Sequence, residues 1–416
     1  MFMLTRNNRV VVTGIGVVAP NGIGKEAFWD TLVAGRSGIG PVTLFDASQH
    51  TCRIAGEVKN FDPIIHLGTG ISYKRLARQS QLALAATFQA LSDARLTQET
   101  LATTLGIPLV LGVSSSAIEV IEQGMARMTA KGPGRVPTHI VHGCQPHQAA
   151  STIVRHIPWL TSSSTIASAC AAGLDAIASA TDLIRQGRAD VAICGGTDAP
   201  INALTLACLA QGGMISHHNI PAKASSPFSS DRNTGIISEG SGILILESLN
   251  HARARGATPY LEITGYATHT DPHPDQPESG LASTIIASLA NAQHRVADVD
   301  YICAHGPSDR TLDLLETNVI KTVFGQRAYQ IPITSIKGVT GNPLSAAGPL
   351  QVITCALIFL NNRIPPTANL DKPDPDCDLD YVPTTARHFS PQCILINSHG
   401  LGGGNSCLVV ERVGVE

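Results

Sequence analysis

Four short stretches of this chain set reactive side chains where a backbone turn could present them. The first is SACAAG at 168–173. Cys170 follows a strand-like run and opens a helix-like one, and its small neighbours permit the sharp strand-to-helix turn of a nucleophile elbow. A thiol in the first turn of a helix meets free N–H groups and the positive end of the helix dipole, which should lower its pKa. A buried core cysteine is the competing reading. The second stretch is Cys303-Ala304-His305-Gly306, at the end of a strand-like run, where α/β sheets place their ligands. A lone histidine there also fits a satisfied core position. The third is TSIKGVTGNP at 334–343, which carries Lys337 and Asn342 in a run with few other charges. Its bland reading is a surface loop with an Asn-Pro turn. The fourth is NSHGLGGGNS at 397–406, which joins two strand-like runs and contains His399. Its glycines suit backbone that must approach something closely. It has neither GxGxxG leading into a helix nor a GK[ST] ending, so dinucleotide and P-loop phosphate binding are not supported.

The elements that would hold these stretches follow from periodicity. Strand-like runs at 9–13, 108–113, 164–167 and 191–194 alternate with helix-like spacing at 26–34, 73–94, 174–186 and 202–209. The second half repeats the pattern, with strands at 242–247, 261–264, 301–304 and 393–397. Helices are expected at 281–293, 312–324 and 350–360. This alternation predicts an α/β fold with parallel sheet and crossover helices. The polar, proline-rich stretches 266–278 and 365–383 are expected to be loops.

Composition narrows the function classes. With 416 residues and 43% hydrophobic, the chain can bury a large core, and wholesale disorder is excluded. A net charge of −3 offers no nucleic-acid or anionic-membrane footprint. No apolar run approaches the roughly 20 residues of a membrane span, and the first residues lack a signal-peptide layout. The ten cysteines are scattered, with no CxxC pair, which suits free thiols in a cytoplasmic protein.

Taken together and in this order, the stretches resemble the β-ketoacyl-[acyl-carrier-protein] synthases of the type II group and the ketosynthases of polyketide assembly. The resemblance covers nearly the whole chain. It begins at RVVVTGIGVVAPNGIG and runs through SACAAG, DVAICGGTDAPI, PFSSDRNTGIISEGSGILILE, VDYICAHG and SIKGVTGNPLSAAG to NSHGLGGGNSCLVVER. It implies a thiolase-like five-layer αβαβα fold made of two similar halves. Residues 1–250 would carry the nucleophile, and 251–416 the histidine, asparagine, lysine and glycine-rich loop.

In the family pattern Cys170 matches the nucleophile. His305 matches the histidine that contacts the malonyl thioester carbonyl, and Lys337 the lysine that organises it. Asp313 and Glu316 match supporting acids, and the N–H groups of Cys170 and Leu401 match the oxyanion hole. The implied activity is a decarboxylative Claisen condensation of acyl-Cys170 with malonyl-carrier protein. Substrates would arrive on the phosphopantetheine of an acyl carrier protein, with no other cofactor. The chain would pair with itself or with a related ketosynthase. A His139-x-x-His142-x-Cys144-x-x-His147 cluster has zinc-like donors, yet the resemblance implies no metal there.

Several positions depart from the family pattern. Asn342 stands where a second histidine is usual, giving Cys170-His305-Asn342. If that position must transfer a proton, the loss costs roughly 10²–10⁴ in rate; if it only donates a hydrogen bond, a carboxamide suffices. The related initiating synthases use Cys-His-Asn, which favours the hydrogen-bond role. Pro307-Ser308-Asp309 replaces the pantetheine-contacting threonines, and Asp309 would set a carboxylate near an acidic donor. His399 and Leu401 flank Gly400 where phenylalanines are usual. Leu401 would gate Cys170 less rigidly, and His399 would fill the aromatic slot and bond to backbone, or else approach Cys170 or the substrate. Pocket shape would depend on the surroundings of Ile118, Val141 and Gly235. The missing histidine leaves two alternatives open: a chain-length-factor-like partner subunit, against which the retained Cys170 argues, and acyl transfer without decarboxylation.

Overall fold

The computed structural model describes residues 8–101, 104, 106–272 and 277–414. Ten of its strands build the frame: β1 (Val10–Ala19), β2 (Pro108–Gly112), β3 (Ser162–Ile166), β4 (Val191–Asp198), β5 (Gly240–Ser248), β6 (Leu261–Thr270), β7 (Tyr301–Cys303), β8 (Ile333–Thr334), β9 (Cys393–Gly400) and β10 (Gly404–Glu411). Their order is β3-β2-β4-β5-β1, continuing β6-β10-β9-β7-β8. Counted from the outer edge, each run of five places its third, second, fourth, fifth and first strand in turn. One topology is therefore used twice. The runs join where Val10–Val12 of β1 pair antiparallel with Leu261–Ile263 of β6.

Five helices complete the layers: α1 (Arg78–Ala94), α2 (Ala172–Arg185), α3 (Pro277–Ala292), α4 (Arg310–Phe324) and α5 (Ala347–Asn361). Helix α1 packs on β1 and β5, and α3 on β6 and β10. Between the two halves lie α2, against β2, β4 and β10, and α5, against β5 and β9. The succession is helix, sheet, helix pair, sheet, helix, the five-layer αβαβα arrangement that the resemblance implies. Helix α5 is buried at every position from Ala347 to Phe359, as expected of a helix apolar all round. The stretch Leu344–Asn361 is apolar and long enough to cross a membrane, yet 83% of it is buried inside the protein. It is the central helix of the fold.

Three differences from the sequence reading matter for the site. The expected helix 73–94 is split into a 3₁₀ turn, Tyr73–Arg75, and α1. Strand β6 continues to Thr270 through residues expected to be loop, because β10 pairs with it as far as Gly404 opposite Thr270. Residues 273–276 of that expected loop lie outside the described residues. Strand β9 runs on to Gly400, opposite Gly404, so His399 sits in paired strand and the turn between β9 and β10 is only 401–403.

Candidate active site

Cys170 lies in the 3₁₀ turn Ala169–Ala171 between β3 and α2. Ala169 holds φ at +53°, a left-handed conformation that costs a non-glycine residue energy and recurs at functional turns. The end of β9 packs against this turn. Ser398 Oγ donates to the Cys170 carbonyl at 3.2 Å. A Cβ added to Gly400 would stand 3.0 Å from the Ser168 carbonyl oxygen, so a larger residue would crowd the elbow. Cys170 is 8% exposed. Burial pushes its thiol up to about 11, although the Lys337 ammonium and the N–H groups of Leu401 and Cys170 pull the other way. The expectation of a lowered pKa is therefore overturned: in so dry a setting, desolvation outweighs the helix terminus.

His305 follows β7 and is 5% exposed. Glu316 of α4 fixes its backbone, accepting from His305 N–H at 2.9 Å and Gly306 N–H at 2.8 Å. Asn397 holds Glu316 in turn, at 3.0 Å. Lys337 Nζ donates to the His305 carbonyl and lies 3.2 Å from His305 Nδ1. His399 N–H also donates to Nδ1, at 3.2 Å. With donors on Nδ1, the ring hydrogen belongs on Nε2. Burial, then the neighbouring Lys337 and His399, hold His305 well below the usual histidine range, so it is a neutral donor at pH 7. Burial also brings Lys337 down to about 8, opposed by Glu316 and Cys170.

The remaining expected residues divide. Asp313, fully buried, accepts from Ser308 N–H at 3.1 Å and Phe228 N–H at 2.8 Å, and lies 3.5 Å from Arg232. It supports the loop that carries His305, and burial pushes its carboxyl up to about 7. Asn342 is pinned by its backbone, donating to Ile236 and accepting from Ser238. Its Oδ1 is buried without a hydrogen-bond partner among the described residues. Pro307 is buried. Gly235, at φ +69°, runs so close to it that a Cβ would meet the Pro307 carbonyl oxygen at 2.1 Å.

Two expectations are corrected. Asp309 caps α4, accepting from Thr311 N–H and Leu312 N–H at 2.9 Å each. Its carboxylate is engaged by a helix end, not presented as a bare charge to the donor. The Leu401 side chain is 76% exposed and does not close over the thiol; its backbone N–H is what reaches Cys170. His399 occupies the aromatic slot but bonds a side chain, with Nδ1 2.9 Å from Asn405 Oδ1, and its ring stands edge-on to His305 at 6.1 Å between centroids.

His139, His142 and His147 are exposed, and Cys144 Sγ turns to the Val141 carbonyl. Among the described residues, the His/Cys/carboxylate group with donor atoms within 4.8 Å is His294, Cys393 and Glu411. There His294 and Glu411 already form an ion pair, and burial pushes the Cys393 thiol up to about 12. Sequence reasoning missed Asp198, a buried carboxylate that accepts from Ser114, Ser115 and Ser345 and raises the Cys170 pKa. Its only sequence signal was its place at the end of a strand-like run.

Comparison with known proteins bears on the family and the fold. Residues 7–252 match the family model described as Beta-ketoacyl synthase, N-terminal domain, and residues 260–371 match Beta-ketoacyl synthase, C-terminal domain. The chain is 39% identical to the tetracenomycin polyketide synthase ketoacyl synthase alpha subunit of Streptomyces glaucescens, over 97% of each chain. It is 38% identical to 3-oxoacyl-[acyl-carrier-protein] synthase 2 of a Synechocystis strain, over 97% of this chain and 98% of that one. Among solved structures, the ishigamide ketosynthase/chain length factor superposes with a TM-score of 0.91 at 31% identity, covering 98% of this chain and all of that one. A type II polyketide acyl-carrier protein complexed with its hexaketide-bound ketosynthase, AntDE:AntF, gives 0.89 at 32% over the same shares. With both family models matched in order and relatives of this identity along nearly its full length, the chain belongs to the beta-ketoacyl synthase family.

Proposed function

We propose that this chain is a condensing acyltransferase that joins an acyl group held on Cys170 to a malonyl unit carried on an acyl carrier protein. Cys170 Sγ attacks the acyl thioester, and the N–H groups of Cys170 and Leu401 receive the oxyanion of the tetrahedral intermediate. Malonyl thioester then enters on the His305 side. Loss of CO₂ leaves an enolate, whose oxygen takes hydrogen bonds from His305 Nε2–H and the Asn342 carboxamide. The enolate carbon attacks acyl-Cys170, and the released thiolate takes up one proton. Lys337, Glu316 and Asp313 hold this set in place.

The observation that carries the reading is the convergence on one elbow of the Cys170 thiol, the Leu401 N–H and the Lys337 charge, with His305 fixed beside them as a neutral donor. The Asn342 carboxamide, whose Oδ1 has no hydrogen-bond partner among the described residues, favours condensation over simple acyl transfer. Residues 1–250 contribute the nucleophile and 251–416 the donor set. Substrates ride on phosphopantetheine, and no further cofactor is needed. The glaucescens relative is named an alpha subunit and the ishigamide structure a ketosynthase/chain length factor. We extend this to a dimer of this chain with itself or with a related ketosynthase, working in the cytoplasm.

Incubation with hexanoyl-carrier protein is expected to give one hexanoyl adduct by intact mass, absent in Cys170→Ala. Malonyl-carrier protein then discharges it as a β-ketoacyl product. No adduct on the native chain overturns the proposal, and an adduct that never becomes product leaves acyl transfer alone.

A further inference from the structure

The proton of the reaction lacks an obvious carrier in the Cys170-His305-Asn342 set. Transfer of an acyl group from one thiol to another moves one proton, from Cys170 Sγ to the departing pantetheine sulfur. His305 cannot receive it: Nδ1 already accepts from His399 N–H, Lys337 Nζ lies against the same nitrogen, and Nε2 bears the hydrogen. Asn342 has no titratable group. Asp198 is buried and taken up by Ser114, Ser115 and Ser345.

One further imidazole stands in the site, on the same strand end that supplies the Leu401 N–H. His399 is half-buried, and its ring meets the edge of His305 at 6.1 Å. Its tautomer is set by a chain of hydrogen bonds. Asn405 is 1% exposed and spends its amide NH₂ on Asp271 Oδ1, at 2.6 Å, and on the Gly403 carbonyl, at 3.2 Å. That turns Asn405 Oδ1 toward His399 Nδ1, 2.9 Å away. Between a carbonyl oxygen and an imidazole nitrogen the hydrogen must lie on the nitrogen, so Nδ1 is protonated and Nε2 keeps its lone pair. An aromatic slot-filler would need no such relay.

Resting on the condensing reading above, we propose that His399 carries the proton of acyl transfer, with Asn405 and Asp271 as positioning residues. As Cys170 Sγ forms its bond to the thioester carbon, the Sγ–H proton passes to His399 Nε2, directly or across one water. The carbon–sulfur bond to pantetheine then breaks, and the imidazolium returns the proton to that sulfur. No other reactant is consumed. The imidazole absent at 342 is thus supplied from 399. The charged or titratable groups around His399 are His305 and Lys337 on the β7 side, Cys170 at the elbow and Asp271 behind Asn405. His269 of β6 stands opposite Asn405 in register, and Glu316 and Asp175 are reached through Asn397 and Ser406.

The test follows acylation of Cys170 by hexanoyl-N-acetylcysteamine thioester, read by intact mass from about pH 5 to pH 9. His399→Phe keeps an aromatic ring in the slot, and His399→Gly opens it. Both are expected to slow acylation by about 10²–10⁴ and to lose the acid limb of the rate–pH profile, with added imidazole restoring rate to His399→Gly only. Wild-type rate and an unchanged profile in His399→Phe overturn the inference while leaving the condensing function intact. No acylation of the wild-type chain by any thioester overturns the function itself.

Discussion

In the proposed reaction Asn342 would make the donor side of the site purely hydrogen-bonding, separating two half-reactions that a titratable group there would merge. Its Oδ1 has no partner among the described residues and its backbone is clamped to Ile236 and Ser238, so the carboxamide could turn an N–H toward the proposed enolate at little reorganisation cost. Asn342→Ala is therefore expected to slow product formation from malonyl-carrier protein by about 10²–10³ while Cys170 is still acylated at the native rate. Equal loss in both steps would show that Asn342 shapes the elbow instead. The residues behind this forecast differ in how far the sequence revealed them. Cys170, His305 and Lys337 stood out because each sits in a small-residue turn at an element's end, and a turn is a local event. The state of the thiol did not: whether a helix terminus or desolvation wins depends on how dry the elbow is, and only packing decides that. Asp309 was misjudged for a related reason, because a charge next to a motif can belong to the helix that starts there.

The same competition between burial and partners operates on the helix Ile118–Lys131, beside the cleft lined by Arg78, Gln81, His139 and Asn202. Glu119 in its first turn accepts from Arg78 N–H at 3.1 Å, but its Oε2 is buried without a partner among the described residues. Burial first, with the Glu239 and Glu122 charges adding, pushes this carboxyl from its ordinary 4.5 up to about 7. A carboxyl with a raised folded-state pKa stabilises the fold below its unfolded value, and that contribution is lost as pH rises through the folded one. Glu119→Gln removes the ionisation, so it should gain stability over wild type at pH 8, by up to about 3 kcal/mol, and little at pH 5. Urea unfolding at both pH values reads the difference; an equal effect at the two would refute the assignment. Elements were legible where an unbroken apolar run is buried whole, as in α5 or β5. They were misread where pairing alone sustained them: the β6 extension through Tyr266–Thr270 is half-exposed and then fully exposed, and exists because β10 lies alongside.

At the scale of the molecule, alternating strands and helices announced two similar α/β halves, but not the order in which five strands repeat or which helices would be sandwiched. Those depend on pairings between residues far apart in the chain, such as β1 with β5 and β6, which periodicity cannot encode. The sandwiched pair sets the geometry of the site. Helix α2 begins just after Cys170, and α5 begins a few residues after Asn342, so the distance between their starts positions thiol and carboxamide. That distance is fixed by glycine. A Cβ on Gly173 would stand 2.0 Å from the Ser345 carbonyl oxygen and 2.4 Å from Pro349 Cδ, and one on Gly196 2.4 Å from the same oxygen. Ser345 cannot retreat, because Asp198 holds its N–H at 2.9 Å and its hydroxyl at 2.5 Å. Gly173→Ala must therefore drive the two helix starts apart, at about 1–3 kcal/mol or more, and the same displacement carries Asn342 away from Cys170. The expected signature is a lowered urea midpoint together with condensation that falls further than Cys170 acylation in protein still fully folded. Gly40→Ala, where an added Cβ meets nothing within 4 Å, should change neither. If Gly173→Ala lost stability but kept its ratio of condensation to acylation, the helix pair would be a structural joint alone, and the alignment of the two chemistries would have to come from β7 and β9.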